Sequence, residues 1–257
     1  MIHPIVHSKQ IFLLLLLLTL NGCDHRNSVK VNRADVAGAS LAPGFHRAQA
    51  TLDNGSRMLY AYWIPPMQPG QKVPLILALH YAGLETDYRG EIYMRQLVEP
   101  ALGDAGGIIV APDVINHSWL DATSETAVMS LIRTIKEEWP VQPDTTIVTG
   151  YSLGGIGTWF LADKYANEFY MAIPMASEPI GFLTGKVRHY IIQGEYDELF
   201  GTANVKEAAR ILKSNHGIVE LVIAPQLLHT EANRYVPYLH QTIPWFTDTT
   251  SALPDSN

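Results

Sequence analysis

"VTGYSLGGIGTWFLADKY", residues 148–165, sets four glycines around one serine and then runs into a segment that can form a helix. It continues the apolar, β-branched run "TTIVTG", residues 145–150, so the stretch reads as strand, turn and helix with Ser152 at the junction. Gly150-Tyr151-Ser152-Leu153-Gly154 fits the pattern G-x-S-x-G. The spacing has a steric reason. A serine in a strained strand-to-helix turn leaves no room for a side chain two residues away on either side, because it would strike the neighbouring strand or helix. Such a turn exposes the serine Oγ at the end of the sheet. It also puts the Leu153 N–H at a helix N-terminus, where it can meet a developing oxyanion. A phosphate-binding turn is the competing use of glycines. Here no Lys-Ser/Thr stands at P-loop spacing and no G-x-G-x-x-G opens the helix.

Outward from this junction the chain alternates. "FHRAQATL" and "RMLYAYWI" flank "DNGS", and Asn-Gly between two such runs predicts a hairpin. "VPLILALH", "GIIVAP", "TTIVTG", "YMAIPMA", "VRHYIIQG" and "IVELVIAP" read as strands buried on both faces. Helical stretches fall between them at about residues 89–99, 124–138, 153–166, 203–214 and 231–247, the second carrying Val128, Leu131, Ile132 and Ile135 at helical spacing. The expectation is an α/β fold, a mainly parallel sheet of eight strands with helices on both faces. Function in such sheets collects at the carboxyl ends of the strands.

A nucleophilic serine needs a base, and the base needs a carboxylate to orient it. After "VRHYIIQG" comes "EYDELF", offering Glu195, Asp197 and Glu198; after "IVELVIAP" comes "QLLHTEANRY", offering His229. Both loops follow strand ends at the edge where Ser152 is expected, and the chain order Ser, acid, His suits the elbow. His216 precedes its strand, His189 lies within one, and His240 lies well along the final helix; His46 and His117 read as surface residues. The three carboxylates are not separated by physics alone, since a solvated loop charge describes any of them.

A resemblance narrows the choice. "DTTIVTGYSLGGIGTWFLADKYANEFYMAIPMAS" resembles the α/β-hydrolase group of secreted esterases and predicted peptidases related to polyhydroxybutyrate depolymerases and feruloyl esterases, over about residues 74–246. The resemblance implies an α/β-hydrolase fold and a Ser-His-Asp hydrolase acting on carboxylic esters, with peptide or thioester cleavage as sibling chemistry. Its G-x-x-D motif falls on Gly194 to Asp197, which makes Asp197 the acid, and its histidine falls on His229; "ELFGT" replaces a frequent proline after the acid. "LALHYAG", residues 77–83, is similar to the His-Gly-x-Gly stretch that supplies the second oxyanion donor. That implies Ala82 N–H as donor, Tyr81 N–H as second choice because Tyr81 replaces a glycine, and His80 as a structural residue. Tyr151 and Trp119, in the loop "NHSWLD", are candidate pocket walls, and Trp159 is expected in the core. The short connection after "YMAIPMAS" leaves no room for a large lid, so an open site and short acyl or aryl esters are expected.

The 257 residues carry a formal net charge of −7 with 18 Lys and Arg, scattered along the chain, which gives no footprint for nucleic acid. No metal-ligand spacing appears around Asp113, His117 and Asp121, and neither metal nor cofactor is expected. The N-terminus differs from the rest. "IFLLLLLLTL", residues 11–20, follows Lys9 and would span only ~15 Å as a helix, the length of a signal-peptide core and not of a membrane span. "LNGC", residues 20–23, resembles a bacterial lipoprotein signal, with Cys23, the sole cysteine, as the lipid attachment site. The resemblance implies an envelope protein held on the membrane through Cys23, and Asp24 implies the periplasmic face of the inner membrane. The expected layout is a signal peptide over 1–22, a lipidated cysteine and polar tether over 23–43, and the hydrolase domain over 44–250.

Overall fold

In the computed structural model, which describes residues 28–247, eight strands form one sheet in the order β1-β2-β4-β3-β5-β6-β7-β8. They are β1 (Gly44–Thr51), β2 (Arg57–Ile64), β3 (Val73–Leu79), β4 (Ile108–Pro112), β5 (Val141–Tyr151), β6 (Met171–Met175), β7 (Arg188–Gly194) and β8 (Val219–Ala224). The Asn-Gly turn joins β1 to β2 as an antiparallel hairpin, and β2 pairs antiparallel with β4. Every other pairing is parallel. The carboxyl ends of β3 to β8 therefore share one edge.

Strand alternation builds two cores. Leu75, Leu77 and Leu79 of β3 point to the face covered by α4 (Ala122–Glu138), against Val128, Leu131 and Ile132. Ile76 and Ala78 point to the opposite face, against Met94, Leu97 and Val98. Those three belong to a helix expected over 89–99, which runs instead as α2 (Arg89–Tyr93), a π-helical turn Met94–Val98 and α3 (Glu99–Leu102). α5 (Leu153–Lys164) and α6 (Thr202–Ser214) share a third cluster, in which Trp159 meets Val205 and Leu212. Trp159 is thus in the core, as expected. The helix expected over 231–247 is broken into a 3-10 turn Ala232–Tyr235, α7 (Val236–His240) and α8 (Pro244–Thr247), with Pro237 and Pro244 at the restarts, where proline lacks the N–H a continuing helix needs.

The polar tether needs correcting over its described part. Val29, Val31 and Val36 are buried, and the short helix α1 (Arg33–Ala37) is capped by Asn32, whose side chain accepts from Ala34 N–H. Val29 N–H donates to Thr126 Oγ1 (3.1 Å) and Val31 N–H to Ser130 Oγ (3.0 Å), while the Trp139 indole donates to Val36 O (2.9 Å). The folded body therefore includes the segment from Val29 on, which the expected boundary at 44 left outside it. The expected signal peptide and Cys23 lie outside the described residues, as do residues 248–250.

Candidate active site

Ser152 stands between β5 and α5 with φ 55° and ψ −117°, a backbone conformation that costs a side-chain-bearing residue about 1–3 kcal/mol. The turn is held by close neighbours. Ser152 N–H donates to Met175 O at the end of β6 (3.0 Å). A Cβ on Gly150 would lie 2.2 Å from Gly154 O, and one on Gly154 would lie 1.8 Å from Leu79 O. The two glycines of the pentapeptide are therefore steric requirements, and the second draws the end of β3 against the elbow.

Ser152 Oγ lies 2.9 Å from His229 Nε2, and His229 Nδ1 lies 3.0 Å from Asp197 Oδ2. An ionised Asp197 can only accept, so Nδ1 carries the ring proton and Nε2 is left as the acceptor for the serine hydroxyl. Asp197 is buried and fully engaged: Oδ1 accepts from Leu199 N–H (3.0 Å) and Phe200 N–H (2.8 Å), and Oδ2 also accepts from Gln193 Nε2 (2.9 Å). The loop "ELFGT" thus turns back on the carboxylate through its own amides. Glu195 and Glu198 are exposed and brace the neighbouring loop instead. Glu195 accepts from Gln226 N–H (3.1 Å) and Glu198 from His229 N–H (3.0 Å).

Sequence reasoning missed Gln193, Phe200 and Tyr235. Gln193 is completely buried; besides Asp197, its amide donates to Phe200 O (2.6 Å) and its Oε1 accepts from Ser177 N–H (3.2 Å). A polar side chain at the end of the apolar run "HYIIQG" is the signal that could have found it. Phe200 sets its ring against the His229 imidazole at 5.3 Å between centroids.

Tyr151 and Trp119 are not pocket walls. Tyr151 is buried beneath His229, donates its hydroxyl to His229 O, and packs edge-on against Tyr235 at 5.0 Å. Burial, then the Tyr235 and Asp197 charges, push the Tyr151 pKa well up, so it stays a donor. Trp119, 1% exposed, sits under the loop after β3, with its indole N–H on His80 O (3.0 Å) and its Cβ side filling the space left by Gly157. His80 is a structural residue. Val114 N–H donates to its Nε2 (3.1 Å), so Nδ1 carries the proton, which goes to Tyr81 O (2.7 Å). Burial holds its pKa down at about 4. These bonds fix the start of the loop carrying Tyr81 and Ala82, with Ala82 exposed and Tyr81 half-buried. Leu153, first residue of α5, supplies the adjoining N–H at the elbow.

Asp113 and Asp121 serve the backbone: Asp113 accepts from Tyr88 N–H (2.7 Å) and Gly90 N–H (2.8 Å), and Asp121 caps α4. A cleft of about 440 Å³ on the same edge is lined by Arg57, Asp87, Arg89, Asp113 and His117 and does not include Ser152. The 176–187 connection between β6 and β7 carries no helix, and Phe182 and Thr184 within it donate to Asp163 at the far end of α5.

No protein-family model matches the chain, and no curated protein matches it. Solved structures do. A thermostable esterase superposes with a TM-score of 0.66 at 19% identity, over 79% of this chain and 62% of that one, so this chain spans less than two thirds of that esterase. S-formylglutathione hydrolase from Staphylococcus aureus gives 0.64 at 15% identity, over 79% and 98%. A ferulic acid esterase from Anaeromyces mucronatus gives 0.61 at 13%, over 80% and 90%. The chain has the α/β-hydrolase fold. Its sheet order and its elbow after β5 are the parts of that fold on which a reaction would depend.

Proposed function

We propose that the protein is a serine hydrolase of carboxylic esters with short or aryl acyl groups. The observation that carries this reading is the continuous chain Ser152 Oγ–His229 Nε2, His229 Nδ1–Asp197 Oδ2, with separations of 2.9 and 3.0 Å, at an elbow whose serine is held in a strained conformation. His229 takes the hydroxyl proton as Ser152 Oγ attacks the ester carbonyl. The tetrahedral oxyanion is met by the N–H groups of Leu153 and Ala82. His229 then protonates the departing alkoxide, leaving an acyl-Ser152. Water, deprotonated by the same imidazole, attacks the acyl carbon and frees the acid and the serine. Asp197 holds the ring in the required tautomer throughout.

The absence of a helix from the 176–187 connection supports small acyl groups, and the likeness to esterases and to a formyl-thioester hydrolase supports acyl transfer over other chemistry. At the N-terminus, lipidation of Cys23 would hold the enzyme at a bacterial envelope membrane. The test of the activity is a panel of p-nitrophenyl esters with Ser152→Ala as control. Hydrolysis of the acetate is expected to drop at least 10³-fold in the variant, together with loss of fluorophosphonate labelling. Equal, slow hydrolysis by both proteins with no label on Ser152 would leave a non-catalytic, ligand-binding domain as the better reading.

A further inference from the structure

We propose that the catalytic edge of the domain lies against a lipid bilayer and that the substrates are amphiphilic esters held at the membrane surface; this rests on the ester-hydrolase reading and on Cys23 as the anchor. Two independent sets of observations converge on it.

The first is where large apolar side chains are exposed. Among the described residues these are Leu84, Ile92, Phe182, Tyr196, Leu199 and Leu228, with Leu84 at 91% and Phe182 at 89% exposure. Leu84 is in the loop after β3, Phe182 in the loop after β6, Tyr196 and Leu199 in the loop after β7, and Leu228 in the loop after β8. Ile92 is in the first turn of α2, just past the β3 loop. Five of the six thus belong to the carboxyl edge of the sheet, around Ser152; Phe182, whose N–H donates to Asp163 at the far end of α5, lies at the opposite edge. Single exposed apolar residues are ordinary, but five gathered on one edge mark a contact surface.

The second is where the chain enters the domain. β2 runs antiparallel to β4, with Tyr60 opposite Pro112, so the β1–β2 turn lies beyond the carboxyl end of β4, at the catalytic edge. Lys30 O accepts from Asp53 N–H in that turn (2.9 Å). α4 starts at the same edge, directly after the β4 loop. Val29 is bonded to Thr126 near its start, and Arg33 pairs with Glu137 and Glu138 at its far end. The chain therefore enters at the catalytic edge and runs away from it. From Cys23 to Val29 is six residues, at most roughly 21 Å of extended chain. A lipid on Cys23 would keep that edge, and not the far one, beside the membrane.

Exposed Glu85, Asp87, Glu195 and Glu198 share the rim. The contact is therefore apolar and gains nothing from anionic lipid. The ester would present its carbonyl at the interface while its long alcohol portion stays in the lipid, which suits an open site that takes small acyl groups.

The test uses the full lipidated chain in phosphatidylcholine vesicles. An environment-sensitive fluorophore is placed on Leu84→Cys or Ile92→Cys, with Asp144→Cys, at the opposite edge, as control. Quenching by doxyl-labelled lipid is expected at 84 and 92 and not at 144, with no increase on adding phosphatidylglycerol. Leu84→Ser combined with Ile92→Ser is expected to lower hydrolysis of vesicle-borne hexadecyl acetate at least tenfold and leave soluble p-nitrophenyl acetate unchanged. Unquenched labels on a vesicle-bound chain, equal quenching at 144, or a variant as active as wild type on hexadecyl acetate overturns the proposal. So does a dimer in detergent-free solution that protects both labels without lipid, since the rim would then cover a second copy. A Cys23 without lipid by mass spectrometry, on a chain that stays off the vesicles, overturns the anchor and the docking together. Undiminished ester hydrolysis by Ser152→Ala overturns the ester reading, with the quenching still deciding the docking.

Discussion

At the scale of single residues, Gln193 is where the site is most exposed to damage. It is completely buried, and its one amide group ties Asp197, the Phe200 carbonyl and the Ser177 N–H together. Gln193→Leu keeps the volume and removes the hydrogen bonds, leaving a buried carboxylate and two buried backbone groups short of partners. Each loss costs about 1–3 kcal/mol. Because Asp197 keeps its bonds from Leu199 and Phe200, the triad is loosened and not dismantled. Thermal unfolding should show a fall in Tm of several degrees. Steady-state kinetics on p-nitrophenyl acetate should show kcat about 10- to 100-fold lower with KM nearly unchanged, and Gln193→Glu should not restore it, since a second carboxylate repels the first. An unaltered kcat would reduce Gln193 to packing. The same residues mark what the sequence could and could not tell. Ser152 and His229 were legible, because a steric motif and the order of strands constrain both. Asp197 was not separable from Glu195 and Glu198 without a family resemblance, because the difference between them is burial and amide donors from a loop only the fold creates.

Among the elements, the strands were the most legible, since apolar runs of five to eight residues bounded by turn signals have few other uses in a chain this size. Boundaries failed where proline interrupts a helix, at Pro237 and Pro244, and where a π-helical turn extends one, at Met94–Val98. The N-terminal segment was misread for a plain reason. Its buried positions, Val29, Val31 and Val36, follow neither a strand nor a helix period across their length, and α1 is only five residues long. Such a segment is fixed by what it packs on, here the flank of α4 and the Trp139 indole. Val36→Asp should expose the consequence. It puts an unpaired carboxylate at a fully buried position beside Trp139, and destabilisation of about 3 kcal/mol or more is expected in urea unfolding. The proposed hydrolysis of p-nitrophenyl acetate should persist at 25 °C, because α1 packs on α4 and β1. A tether would tolerate the substitution with no change in midpoint.

For the whole molecule, two buried histidines set how stability responds to acid. His80 holds the loop after β3, and His189 in β7 donates from Nδ1 to Val187 O (2.8 Å) and stacks on Trp159 at 5.2 Å. Burial lowers both pKa values to about 4, from an unfolded value near 6.5. A folded pKa below the unfolded one means that the unfolded chain binds the proton first. The contribution of each histidine is therefore complete above pH 6.5 and is lost as the pH falls from 6.5 towards 4. Within that window each protonation costs about 1.4 kcal/mol per pH unit, so the two together give an initial slope of nearly 3 kcal/mol per unit. Tm measured from pH 8 to pH 4 should be flat above about pH 7 and fall steeply below 6. His189→Phe preserves the stack on Trp159 and removes one proton, so it should roughly halve the slope, whatever it does to stability at pH 8. The loss at His80 has a second consequence: a charged imidazole there can no longer accept the Val114 N–H, and the loop carrying Tyr81 and Ala82 loses its fixed start. Activity at low pH should therefore fall in step with unfolding, and protein returned to pH 8 should recover it except for what aggregation has removed. A mutant slope equal to that of the wild type would assign the acid sensitivity to groups other than His189.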